Sequence, residues 1–228
     1  MENVPATFIE ELTRTIWSVS LYSLKYDFGG RWSAIATKAH EMPWVKIHIG
    51  VSDNDNGVSY RLSGRSSTLD VSLLDPKRYY ISEIYIEKEE DPPGEPLTEE
   101  ILARLQQMFL NGNIRSDIIH INVVCSRYPQ IVDLLDSVVS VERCTVTVND
   151  RGLNPFYRKI LDQTVDYFDY DGPTINTEHG ELLSIALREN RLRALQAKRV
   201  GRFVQKFSET FRETQIRLIK PGFRPLFD

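Results

Sequence analysis

The chain has 228 residues, 41% of them hydrophobic and 26% charged, which supplies a packed core and excludes wholesale disorder. Lys plus Arg number 28 against 32 Asp plus Glu, a formal net charge of −4, so a globally basic nucleic-acid binder is disfavoured. No apolar run approaches the roughly 20 residues needed to span a bilayer, the opening stretch is acidic and unlike a secretory leader, and two cysteines without an N-x-[ST] acceptor fit a reducing, intracellular setting, cytoplasmic or nuclear.

Residues 1–42 read as helical. Pro5 suits a first-turn position, and Phe8, Ile9, Leu12 and Ile16 recur at helical spacing. Gly29-Gly30 breaks the pattern, which resumes over 31–41 with Trp32, Ile35, Ala36 and Ala39 on one face. Pro43 ends the unit. The period then changes to two. Val45, Ile47, Ile49 and Val51 alternate with Lys46, His48 and Gly50, and a turn-rich run leads to a partner strand over 58–62. A third strand over 69–74 would complete an antiparallel meander.

From residue 81 onward the elements alternate. Strands are expected at 81–86, 118–124 and 141–148, and helices at 98–109, 128–139 and 155–168. Thr98 is placed to cap the first of these helices, with Glu99 and Glu100 in its first turn. Such alternation implies parallel strands with right-handed crossovers. A leucine-rich-repeat-like arc would have similar steps, although its L-x-x-L-x-L-x-x-N signature is absent. Residues 178–215 read as one long helix packed back on the body. The expected class is α+β: an N-terminal three-helix unit over 1–42, then a body over 44–228 with the meander, a mixed sheet of strand–helix units and the long C-terminal helix.

Candidate chemistry is sparse. Asp53-Asn54-Asp55-Asn56-Gly57 resembles a calcium loop, but its glycine falls one position early and its twelfth position is Gly64, so a hairpin turn is expected and no metal. Cys125 would need a nearby imidazole to act as a nucleophile. His120 lies five residues upstream on the same expected strand and so points to the opposite face; His179 is the other imidazole considered. Both cysteines read as small buried hydrophobes. No phosphate loop, zinc or hydrolase motif is present, so no catalytic residue, cofactor or enzyme activity is expected. Arg188, Arg191, Arg193, Lys198, Arg199, Arg202 and Lys206 would line the long helix, but interleaved glutamates favour an ordinary solvated face over a nucleic-acid contact. Tyr167 and Tyr170, in the densest aromatic cluster, are candidates for a partner contact or for a loop packed over the core.

The opening segment resembles a divergent F-box. Val4-Pro5 stands in the family's Leu-Pro place, Phe8, Ile9, Leu12 and Ile16 match the first helix, Leu21 and Leu24 the spaced leucines, and Trp32 with Ile35 the third helix. The whole chain is similar to the nematode-expanded F-box and F-box-associated-like proteins, by motif over 1–42 and by layout over 44–228. The resemblance implies a protein–protein interaction module: an Skp-type adaptor of a cullin-type ubiquitin ligase docked on Val4, Pro5, Phe8, Ile9, Leu12, Ile16, Leu21, Leu24 and Trp32, and an unidentified target protein on the body. A unit of about 42 residues is too small to bury an adequate core alone. Its apolar stripe must therefore cover either an adaptor or the chain's own sheet, in an adaptor-independent binding protein.

Overall fold

The computed structural model describes residues 4–5, 7–9, 26–27, 29–41, 43–52, 57–64, 71, 74, 79–88, 94–111, 115–197, 201–203, 205–207 and 209. In chain order these form α1 (Gly30–His40), β1 (Trp44–Val51), β2 (Val58–Gly64), β3 (Tyr80–Lys88), β4 (Glu95–Pro96), α2 (Glu99–Asn111), β5 (Arg115–Ile121), α3 (Pro129–Ser137), β6 (Ser140–Val146), α4 (Asn154–Leu161), β7 (Tyr167–Tyr170), α5 (Thr177–Arg188) and β8 (Leu195–Ala197). Among the described residues the strands make one eight-stranded sheet, ordered β4-β2-β1-β3-β5-β6-β7-β8. The class is α+β with a mixed sheet.

β1 and β2 pair antiparallel, with Ser52 N–H donating to Gly57 O at 3.0 Å across the turn, as hydrophobic alternation on both sides predicts. The expected third strand over 69–74 lies mostly outside the described residues. Of 69–74 only Val71 and Leu74 are described; Val71 sits in a helical turn, and both are buried against the core. The other neighbour of β1 is β3, and that pairing is parallel. Period-2 alternation reports which residues are buried, not which strand lies alongside, so the local pattern left this open.

The remaining strands run parallel, β3 to β5 to β6 to β7 to β8. Strands that add in one direction through right-handed crossovers place every crossover helix on the same side. The burial pattern agrees. Ile47 and Ile49, Ile84 and Ile86, Ile119 and Ile121, Cys144 and Val146, and Phe168 and Tyr170 share one core with residues of the four crossover helices, including Leu105 and Phe109 of α2 and Leu134 and Leu135 of α3. Each large apolar side chain so buried contributes about 1.5–3 kcal/mol relative to an exposed one.

The helices start where the sequence predicts. Thr98 Oγ1 accepts from Ile101 N–H at 3.4 Å, Pro129 and Pro155 occupy first-turn positions, and Asn176 Oδ1 caps α5 by accepting from His179 N–H at 2.9 Å. Two ends differ. The helix expected over 155–168 stops at Leu161, and residues 167–170 form β7, because Val165 N–H donates to Arg191 O at 2.7 Å and Phe168 N–H to Ala194 O at 2.9 Å. Those partners lie far along the chain, where helical periodicity has no reach.

The long C-terminal helix is likewise corrected. α5 ends at Arg188, and the chain re-enters the sheet as β8. Asn190 takes a left-handed conformation (φ 56°), Asn190 N–H donates to Leu187 O and Arg191 N–H reaches back to Ala186 O, the double closure of a Schellman cap. Phe203 and Phe207 are buried against the core, where a Cβ on Gly180 would come within 2.4 Å of the Phe203 ring.

Candidate functional site

The crossover helices cover one face of the sheet, and the alternate strand residues form the other. Registers across seven strands align Arg61, His48, Tyr85, His120, Thr145, Asp169 and Gln196 in one transverse row. One pleat away, Lys46, Glu83, Ile118, Arg143 and Tyr167 form a second row. These positions are half-buried or exposed, whereas most of their neighbours along each strand are buried, Asp117 and Asp166 being half-buried. The result is a polar, ring-bearing surface on a rigid scaffold, a composition typical of contact surfaces.

Three rings of the first row stack. His48 lies 4.8 Å from Tyr85 with planes 7° apart, and Tyr85 lies 4.6 Å from His120 with planes 5° apart. The spacing matches the roughly 4.8 Å separation of neighbouring strands, so the sheet itself sets the stack. Glu83 and Glu87 flank it on β3. Glu83 pairs with Lys46 at 2.8 Å and accepts from the Tyr85 hydroxyl, and Glu87 Oε1 lies 3.7 Å from His48 Nδ1.

These contacts tune the titrating groups. Burial alone would raise Glu83, but its hydrogen bonds to Lys46 and Tyr85 outweigh it and hold the carboxyl below the ordinary range. Burial, and then the bond to Glu83, push the Tyr85 hydroxyl up to about 12. His120 is lowered by burial, against the opposing pull of Glu83 and Glu87. On the helix side of β5, burial and then the charges of Glu142 and Glu83 push Asp117 up to about 7. Glu87 and the edge of His48 also bound a small recess over Gly50, with Ser59, Arg61 and Gly94. Gly94 is required there: a Cβ would sit 2.5 Å from Tyr60 O.

No family model, curated protein or solved structure matches this chain.

The residues singled out in the sequence fall in several places. Phe8 is 53% exposed beside Pro5, which is exposed, and Val4, which is half-buried, while Ile9 is only 1% exposed. Trp32 is half-buried on α1, and Ala36 is fully buried. Leu12, Ile16, Leu21 and Leu24 lie outside the described residues, and with them most of the expected three-helix unit. Tyr167 stands on the open face, its hydroxyl donating to Gln196 Oε1, and burial followed by Asp169 pushes it up to about 12. Tyr170 is 0% exposed on the helix side, so a direct partner contact by this ring is ruled out.

Cys125 lies in a helical turn beyond β5 rather than on the strand, buried, with its thiol pushed up to about 12 by burial and then by Asp150. That environment opposes thiolate formation. His179 stacks on Tyr157 at 4.3 Å, and burial lowers it to about 4. Both belong to the core. The basic residues near the C-terminus do not share one helix. Arg191 bridges Asp162 and Glu189 at 2.8 and 2.5 Å, and Arg193 pairs with Asp166 at 3.0 Å; Lys198 and Arg199 lie outside the described residues.

The His48–Tyr85–His120 stack escaped the sequence reading. Each residue sits at an exposed position of an alternating strand, and that is the only local signal. Their adjacency requires the parallel order β1-β3-β5.

Proposed function

We propose that this chain is a non-enzymatic protein–protein interaction module, an F-box-like subunit that recruits a target protein to a cullin-type ubiquitin ligase in the cytoplasm or nucleus. The observation that carries the reading is the open sheet face. A row of polar and aromatic side chains crosses seven strands in register, and three of its rings stack. In this reading the strand–helix units form a leucine-rich-repeat-like arc whose open side holds the target. Such a surface fits adaptable recognition better than a small-molecule cleft, because it is broad and its rings are supported from beneath.

The adaptor would be of Skp type and would grip the opening segment, where Phe8 is more than half exposed next to Pro5. Capture of the Skp adaptor by wild type and by a Val4→Asp, Phe8→Asp double variant tests this. Recovery by wild type and loss in the variant is expected; no recovery by wild type removes the adaptor role.

A second reading is favoured by Ile9 and Ala36, which are 1% and 0% exposed. Part of the opening segment's apolar side is covered by its own chain, as in an adaptor-independent binding protein. Deleting residues 1–42 then exposes core surface and causes aggregation. A soluble fragment over 44–228 with a cooperative melt counts against that reading.

A further inference from the structure

We propose that the open sheet face binds a basic, arginine-bearing segment of its protein partner, with one guanidinium seated over Thr145 as the next layer of the His48–Tyr85–His120 stack. This rests on the reading of that face as the target-holding surface, and it specifies the chemistry of the target.

The geometry carries the argument. The three rings repeat at 4.8 and 4.6 Å because successive parallel strands bring them into register. The next strand brings Thr145 opposite His120, and the one after brings Asp169 opposite Thr145. The row therefore passes from a ring to a short side chain and then to a carboxylate. The outer face of His120 looks across Thr145, and a planar group entering there continues the stack by one layer. Arginine is the cation that stacks on a ring and pairs with a carboxylate through a planar fork.

Charge selects the same class. Glu83 and Glu87 both act on His120 to favour its protonated form, so the field at that ring is negative. Of the nearby cations, Lys46 is engaged by Glu83 at 2.8 Å, and Arg143, one pleat from Thr145, has its Nε 3.6 Å from Glu142 Oε1. A positive segment meets complementary potential there, which raises both its selectivity and its rate of encounter.

The test uses the full chain at low ionic strength and fluorescein-labelled octapeptides of glycine and serine carrying two arginines, two lysines, two citrullines or two glutamates. Fluorescence anisotropy should show the arginine peptide binding at least about tenfold tighter than the citrulline and glutamate peptides, and tighter than the lysine peptide. Thr145→Phe, which fills the layer with a strand-compatible side chain, and Asp169→Asn should each weaken the arginine peptide at least about fivefold with an unchanged melting temperature. Equal binding of the citrulline or lysine peptide, binding of none of the four, or full affinity in a folded Thr145→Phe variant overturns the inference. Tight binding of the glutamate peptide alone also overturns it, while leaving the interaction reading standing, since adaptor capture tests that reading separately.

Discussion

Asn176 Nδ2 donates to Asn149 Oδ1 at 2.7 Å, and the Oδ1 of the same Asn176 accepts from His179 N–H at 2.9 Å. One amide thus caps α5 and ties it to the loop after β6. Asn149 extends the link by donating to Thr174 O at 3.3 Å. In the preceding unit, Asp150 accepts from the backbone N–H groups of Ser126 and Gly152 at 2.8 and 3.0 Å. Consecutive loops at the carboxyl ends of the strands are therefore joined by side chains, which holds the units that carry the open face in a fixed relation.

Removing that amide should be felt. Asn176→Ala loses the helix cap and the loop tie together, and leaves a backbone N–H in a buried position. A loss of about 1–2 kcal/mol in urea unfolding is expected, with the m-value unchanged. Asn176→Asp, which keeps the cap acceptor but cannot donate to Asn149, should fall between.

The end of α5 makes a second, sign-specific prediction. Asn190 holds φ at 56°, where glycine is unstrained and a β-branched side chain is not. Asn190→Gly should be neutral or stabilising by a few tenths of a kcal/mol, and Asn190→Val should cost about 1 kcal/mol or more. Thermal unfolding of the two variants checks the order. Were this segment part of a continuous helix, valine would be the better tolerated of the two.

Asp117 gives stability a pH dependence. Its folded value of about 7 lies above the ordinary 3.8, so the folded chain holds a proton that the unfolded chain releases. The stability from this group is fully present below about pH 4 and is lost as pH rises through about 7. His179, lowered to about 4 from 6.5, acts oppositely: its contribution is present above pH 6.5 and is lost as pH falls through 4. The wild-type profile therefore mixes two opposing slopes. The difference between wild type and Asp117→Asn isolates the first, and the variant should gain on wild type from about pH 4 to about pH 7 and level off above about pH 8. A pH-independent difference would mean that Asp117 ionises normally.

Both thiols should resist labelling. Cys125 and Cys144 are buried, and at about 12 the Cys125 thiol is ionised in only about one molecule in ten thousand at pH 8. Reaction with a water-soluble disulfide reagent should require opening of the fold and run at least about a hundredfold slower than in urea. Rapid native-state labelling of Cys125 would revive a thiol-dependent activity.

The sequence alone determined the α+β class, the period change at Trp44, the β1–β2 hairpin, the alternation of strand and helix from residue 80 to the end of β6, and the inward faces of α2 and α3. These follow from side-chain periodicity and from capping and turn residues, which act over a few positions. The tertiary structure decided three matters. β1 chose β3 as its parallel neighbour, the end of the helix expected over 155–168 gave way to β7 at 167–170, and the long C-terminal stretch divided at Asn190 so that β8 could join the sheet. The surface read as functional came from the same source. His48, Tyr85 and His120 are each unremarkable in sequence, and they stack only because strands 37 and 35 residues apart lie side by side in register. Hydrogen bonds between distant backbones select that adjacency, and such bonds leave no periodic mark on the residues that make them.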